Sequence, residues 1–178
     1  MNHQKLIEVL KNRSVRWGDF TLASGKKSDL YVDARLTTLS PEGISLITEA
    51  IFPLLHKDVG VIGGPVTGAD PIIGALCLYA AQQNRILYGC MVRKKPKGHG
   101  GKHWVEGIAN LPTGAKVCVV EDTVTTGGSL LRAIEKIEQE GFSVIQSIAV
   151  VDRLEGAQEL LTQAGYPFTA LTTRTDLT

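Results

Sequence analysis

The chain is poor in the residues that build disulfide frameworks, metal cages and membrane spans. It has three cysteines, Cys77, Cys90 and Cys118, all in apolar surroundings and none in a CxxC pair. An odd count of such thiols fits a reduced, cytoplasmic setting and argues against a secreted disulfide scaffold. The four histidines form no metal-ligand constellation. No apolar run reaches the roughly 20 residues of a membrane span, and the opening MNHQKLIEVLKNR is amphipathic and charged, unlike a signal peptide. There is no G-x-x-x-x-G-K-[ST] and no G-x-G-x-x-G following a strand, which argues against nucleotide hydrolysis and dinucleotide binding. Internal repeats, low-complexity tracts, linkers and an evident nucleophilic triad are missing too.

What is present is 178 residues with 43% hydrophobic content, enough for one domain over 1–178 with an adequate core. The net charge is +1, but its distribution is uneven. The segment 93–103, RKKPKGHGGKH, holds five Lys/Arg and two His with no acid. The rest of the chain carries 14 basic and 18 acidic side chains, a net charge of −4. Positive charge is therefore local, and neither nucleic-acid coating nor a membrane surface is expected as a partner.

Apolar periodicity and turn signals predict alternating elements. A helix opens the chain, and a polar, turn-rich stretch over 17–27 leads to a strand over 30–34. Ser40-Pro41-Glu42 starts a helix reaching about residue 56, with hydroxyl cap, first-turn proline and acid in order. Strands follow over 59–63, 86–92, 117–120, 144–151 and 168–171, with helices over 72–83, 128–140 and 156–165. This alternation implies an α/β fold, a parallel twisted sheet flanked by helices. Ligands of such sheets bind beyond the carboxyl ends of the strands. That edge collects Glu121-Asp122, the turn after Gly63, the basic segment after Val92, and Asp152-Arg153.

The stretch KVCVVEDTVTTGGSLL concentrates the chemistry. A buried apolar strand runs into two carboxylates, costly unless paired or ligand-bound. Thr123, Val124, Thr125, Thr126, Gly127, Gly128 and Ser129 then form a hydroxyl- and glycine-rich turn opening a helix, where free amides and the helix dipole favour a phosphate. The plain alternatives are an acidic pair capping the next helix and an ordinary capped turn. For the basic segment the plain alternative is a solvated charge run, though Gly98, Gly100 and Gly101 suit a loop that opens and closes.

VVEDTVTTGGS resembles the donor-binding signature of type I phosphoribosyltransferases. FTLASGKKSDLYVD (20–33), GGPVTGADPI, RKKPKGHGG and VVDRLEG resemble, in chain order, segments of the orotate phosphoribosyltransferases. The resemblance covers residues 17 to 156. It implies the type I fold with a small N-terminal hood over about residues 1–35, and transfer of phosphoribosyl from 5-phosphoribosyl 1-diphosphate to orotate, with Mg2+ held mainly through the donor rather than by protein ligands. It implies that Glu121 and Asp122 meet the ribose hydroxyls and that Thr125 to Ser129 hold the 5′-phosphate, with the start of that turn near the base. Arg93, Lys94, Lys97 and His99 would bind the diphosphate, while Lys27 (or Lys26) and Arg153 would lie near orotate. Lys97, His99, Glu121 and Asp122 are the catalytic candidates.

Family resemblance further implies a homodimer with shared active sites. In one respect the chain departs from the pattern: some members carry a diphosphate-contacting lysine where this chain has Gly68, leaving that role to the Thr67 and Gly68 amides or to another group. Asp70 is read as a helix cap, with action through a bound magnesium as the alternative. Two rival readings are a regulatory protein of the same fold that senses the donor, and an enzyme acting on a purine base.

Overall fold

The computed structural model describes residues 3–21, 27–96 and 103–178. Helix α1 (His3–Arg13) is followed by an antiparallel hairpin, β1 (Val15–Thr21) and β2 (Lys27–Val32), and a single helical turn, α2 (Arg35–Thr38). Then come α3 (Pro41–Ile51), β3 (Val59–Pro65), α4 (Asp70–Gln82), β4 (Tyr88–Val92), β5 (Val105–Glu106), β6 (Lys116–Val124), α5 (Gly128–Gln139), β7 (Ser143–Asp152), α6 (Ala157–Gln163) and β8 (Phe168–Thr173).

The main sheet has the order β5-β4-β3-β6-β7-β8. Every pairing is parallel except that of the short β5 with β4, so the sheet is mostly rather than wholly parallel. Its two faces bury two apolar clusters. Cys118, Val120, Ile148 and Val150 pack against α1, α3 and α4, whereas Val117, Val119 and Ala149 pack against α5 and α6. Strand alternation produces this division, because neighbouring residues of β6 point to opposite faces. From β3 the chain moves outward to β4, then returns to place β6 on the other side of β3. The gap between β3 and β6 is thus the switch point where such sheets open a crevice.

Differences from the sequence reading have local causes. The stretch from Trp17, expected as turn-rich, belongs to β1. A register shift between Trp17 and Phe20, around Gly18, breaks the period-2 pattern that would have disclosed the strand. β6 does not stop at Val120 but runs four residues further, because Glu121, Thr123 and Val124 stay in register with β7. Ser40 caps α3 as predicted: its hydroxyl accepts the Gly43 N–H, with Pro41 in the first turn. Asp70 caps nothing. It is the first residue of α4, the cap position belongs to Ala69, and Asp70 Oδ1 is buried without a hydrogen bond among the described residues. Cys90 and Cys118 are buried as expected, and burial pushes the Cys90 thiol up to about 12, while Cys77 is only partly covered.

Candidate active site

Because β6 continues through the acidic pair, its alternation sends the two carboxylates apart. Glu121 has the parity of Val117 and Val119 and turns to the α5 side, where the Ser129 hydroxyl hydrogen-bonds it and Arg132 lies near. Asp122 has the parity of Cys118 and Val120 and turns to the other side. There it accepts the Thr123 N–H at 2.8 Å and lies near Arg35.

Both carboxyls are held above their ordinary range. Burial is the main cause for Glu121, only 9% exposed, and the charge of Asp122 adds to it; Ser129 and Arg132 oppose, and the result is about 8. Asp122 is also raised by burial, against the Thr123 amide and Arg35. Glu121 Oε2 and Thr123 Oγ1 are buried and have no partner among the described residues.

After β6 the turn Thr125–Gly127 leads into α5. Gly127 has φ +79°, and a Cβ there would lie 3.1 Å from Ala157 Cα, so conformation and space both require glycine. A cavity of about 250 Å³ is lined by Glu121, by every residue from Thr123 to Ser129, and by Arg132. All seven turn residues expected from the sequence therefore line one cavity at the amino end of α5, where first-turn N–H groups have no helical acceptor.

A second cavity of about 250 Å³ occupies the switch point between β3 and β6. Its walls include Thr67 and Gly68 after β3, Glu121, Asp122 and Thr123 of β6, Asp33 and Arg35 after β2, Ser129, and Lys94. The Val66–Thr67 peptide bond is cis. A Cβ on Gly68 would overlap the Asp122 carboxylate, its nearest atom being Asp122 Oδ1. No side chain fits at position 68 while Asp122 holds its place. Asp33 and Arg35 were not singled out as site residues from sequence. Their two-residue spacing is the one available signal, and it has meaning only once the chain turns toward the switch point.

Arg93 donates to Glu106 Oε1 at 2.6 Å and lines a neighbouring cavity of about 510 Å³ with Thr67, Asp70 and Lys95. Lys97, His99 and Lys26 lie outside the described residues. Lys27 is exposed at the start of β2, paired in register with Thr21. Arg153 is not a surface arginine: it is 6% exposed, ion-paired with Glu155 at 2.9 Å, and donates to the Leu30 carbonyl at 3.3 Å. It links the end of β7 to the hairpin. Arg132, one turn beyond Gly128, was also missed; its only sequence signal is that spacing.

The two cavities share Glu121, Thr123 and Ser129, so a glycine-rich turn at a helix amino end adjoins an acid-walled cleft with Arg35 and Lys94 among its walls. Residues 61–164 match the model of the phosphoribosyl transferase domain. An orotate phosphoribosyltransferase of Nostoc sp. is 39% identical over 174 residues, covering 98% of this chain and 84% of the relative. The crystal structure of the Mycobacterium tuberculosis orotate phosphoribosyltransferase in complex with Fe(III) dicitrate superposes with a TM-score of 0.84 at 34% identity, covering 99% of both chains. A second structure of that enzyme, in complex with 5-phospho-alpha-D-ribosyl 1-diphosphate, gives 0.81 at 31% identity, again over 99% of both chains. Cradle, acidic pair and full-length similarity lead to one assignment: this chain belongs to the orotate phosphoribosyltransferase family of type I phosphoribosyltransferases.

Proposed function

We propose that the protein transfers the phosphoribosyl group of 5-phosphoribosyl 1-diphosphate to orotate, giving orotidine 5′-phosphate and diphosphate in pyrimidine synthesis. The observation that carries this reading is the pair of cavities sharing Glu121, Thr123 and Ser129. One has the features of a 5′-phosphate cradle, and the other adjoins it among charged groups.

In the reaction the C1–O bond of ribose breaks and its electron pair leaves with diphosphate, while a ring nitrogen of orotate forms the C1–N bond and its N–H proton passes to the departing diphosphate. The hard part is the cationic character at C1. The Thr125–Ser129 turn anchors the donor by its phosphate. Glu121 and Asp122, on either side of the strand end, hold the ribose hydroxyls, and ionised Asp122 favours the positive sugar. Lys94 and Arg93, with Lys97 and His99, take the leaving diphosphate. Lys27 and Arg153 serve the base side, where cations match the orotate carboxylate.

Magnesium fits this site as part of the donor complex. Among the described residues no three His, Cys, Asp or Glu converge as a metal cage, while Asp122 supplies a carboxylate beside the cleft. Bound there, the ion would neutralise charge on the diphosphate.

We further infer a homodimer in which the basic loop serves the neighbouring site, and a cytoplasmic location, in keeping with three free thiols. No helix among the described residues is long and apolar enough to cross a membrane. The reading is tested by following loss of the ultraviolet absorbance of orotate with donor and magnesium, against adenine, hypoxanthine and uracil.

A further inference from the structure

The switch-point cleft needs fixed positive charge, and its β3 side cannot supply any through position 68, where a Cβ would overlap the Asp122 carboxylate. The opposite wall can. Arg35, at the start of α2, is clasped by Asp33 through two parallel hydrogen bonds, Nε to Oδ1 at 2.8 Å and Nη2 to Oδ2 at 3.1 Å. The same Oδ1 also accepts the Arg35 backbone N–H at 3.2 Å. One edge of the guanidinium is thereby fixed. Nη1 makes no hydrogen bond among the described residues, and the side chain stays 52% exposed. Both residues line the cleft that holds Gly68, Lys94 and Asp122.

A purely local clasp would not need to face the acidic pair, yet this one does. Arg35 is held protonated first by Asp33 and then by the field of Asp122, and Asp33 is kept ionised by Arg35. The cleft shares Glu121 and Ser129 with the phosphate cradle, so a donor anchored by its 5′-phosphate projects its other anionic end here.

We propose that Arg35, oriented by Asp33, binds the diphosphate of the donor through the free edge of its guanidinium. Arg35 is then a substrate-binding residue and Asp33 a positioning residue that acts through it. A planar fork already half-satisfied by a carboxylate loses little freedom when it takes a diphosphate oxygen. This rests on the donor reading above, but its test does not require orotate.

Binding of inorganic diphosphate with magnesium is measured by calorimetry for the wild type, Arg35→Gln, Arg35→Lys and Asp33→Asn, beside steady-state constants for donor and orotate. Charge-assisted contacts of this kind predict that Arg35→Gln weakens diphosphate binding and raises the donor KM by about tenfold or more. The orotate KM and the unfolding midpoint should change little. Arg35→Lys should fall between, and reads the same constants if Arg35→Gln does not fold. Asp33→Asn should raise the donor KM with kcat kept, and adding it to Arg35→Gln should cost nothing more. Diphosphate affinity and donor KM within twofold of wild type in Arg35→Gln or Arg35→Lys would overturn the proposal. Arg35-dependent diphosphate binding without turnover of orotate would uphold it while sinking the assigned reaction.

Discussion

Glu121 shows at the scale of one residue what the site demands of the fold. Its carboxyl is buried, and its native pKa of about 8 lies well above the ordinary value of 4.5. Between those values the native state keeps a proton that the unfolded chain releases, so this group makes stability fall as pH rises. Glu121→Gln removes the titration. Thermal unfolding between pH 5 and 8 should show a flatter pH dependence and a higher midpoint at pH 8 than the wild type; an unchanged slope would count against a buried, proton-holding Glu121. Asp122 faces the other side of the strand and lines the switch-point cleft, where the proposed reaction places the sugar. Asp122→Asn should lower kcat more than it weakens donor binding, because charge is lost where positive character develops. Steady-state kinetics showing only a raised KM would contradict that role. The sequence disclosed both acids, since two carboxylates beside VCVV are hard to explain otherwise. It hid their divergence, which exists because β6 runs on to Val124. It also hid Arg35, whose partner is local but whose meaning depends on the turn after β3.

Elements were legible where local chemistry and periodicity agree. Ser40-Pro41-Glu42 foretold α3, and the cap is real: Ser40 Oγ accepts from Gly43 N at 3.1 Å and donates to the Thr37 carbonyl at 2.9 Å. Ser40→Ala should lower stability by about 1 kcal/mol. For a chain of this size that is about 2–4 °C in Tm. Calorimetry tests the shift, and unaltered kcat should accompany it, since Ser40 lies outside both site cavities. The element that escaped was β1, whose bulge around Gly18 puts Trp17 and Phe20 out of alternation. The pairing of β5 with β4 escaped as well: two residues carry no period, and tertiary position alone makes them a strand. Asp70 taught the opposite lesson, a cap-like residue in the right place whose carboxyl takes no capping role.

At the scale of the whole molecule, sheet order converts scattered motifs into one site. The carboxyl ends of β3, β4 and β6 meet around the switch point, bringing Gly68, Lys94 and Asp122 to one cleft from three separate segments. Alternating strands and helices made this edge predictable without the order itself being known. Subunit sharing is the corresponding prediction. Lys97→Ala and Asp122→Asn chains, each nearly inactive alone, should regain activity when mixed, because one site of a heterodimer escapes both lesions. Verified heterodimers that stay inactive would sink the shared-site proposal. The most direct measurement of the central claim remains the reaction itself, with donor and magnesium supplied and four bases compared. The account predicts loss of orotate absorbance with diphosphate appearing in equal amount, and no comparable turnover of adenine, hypoxanthine or uracil. Turnover of a purine in preference to orotate, or no orotate-dependent release of diphosphate, would contradict it.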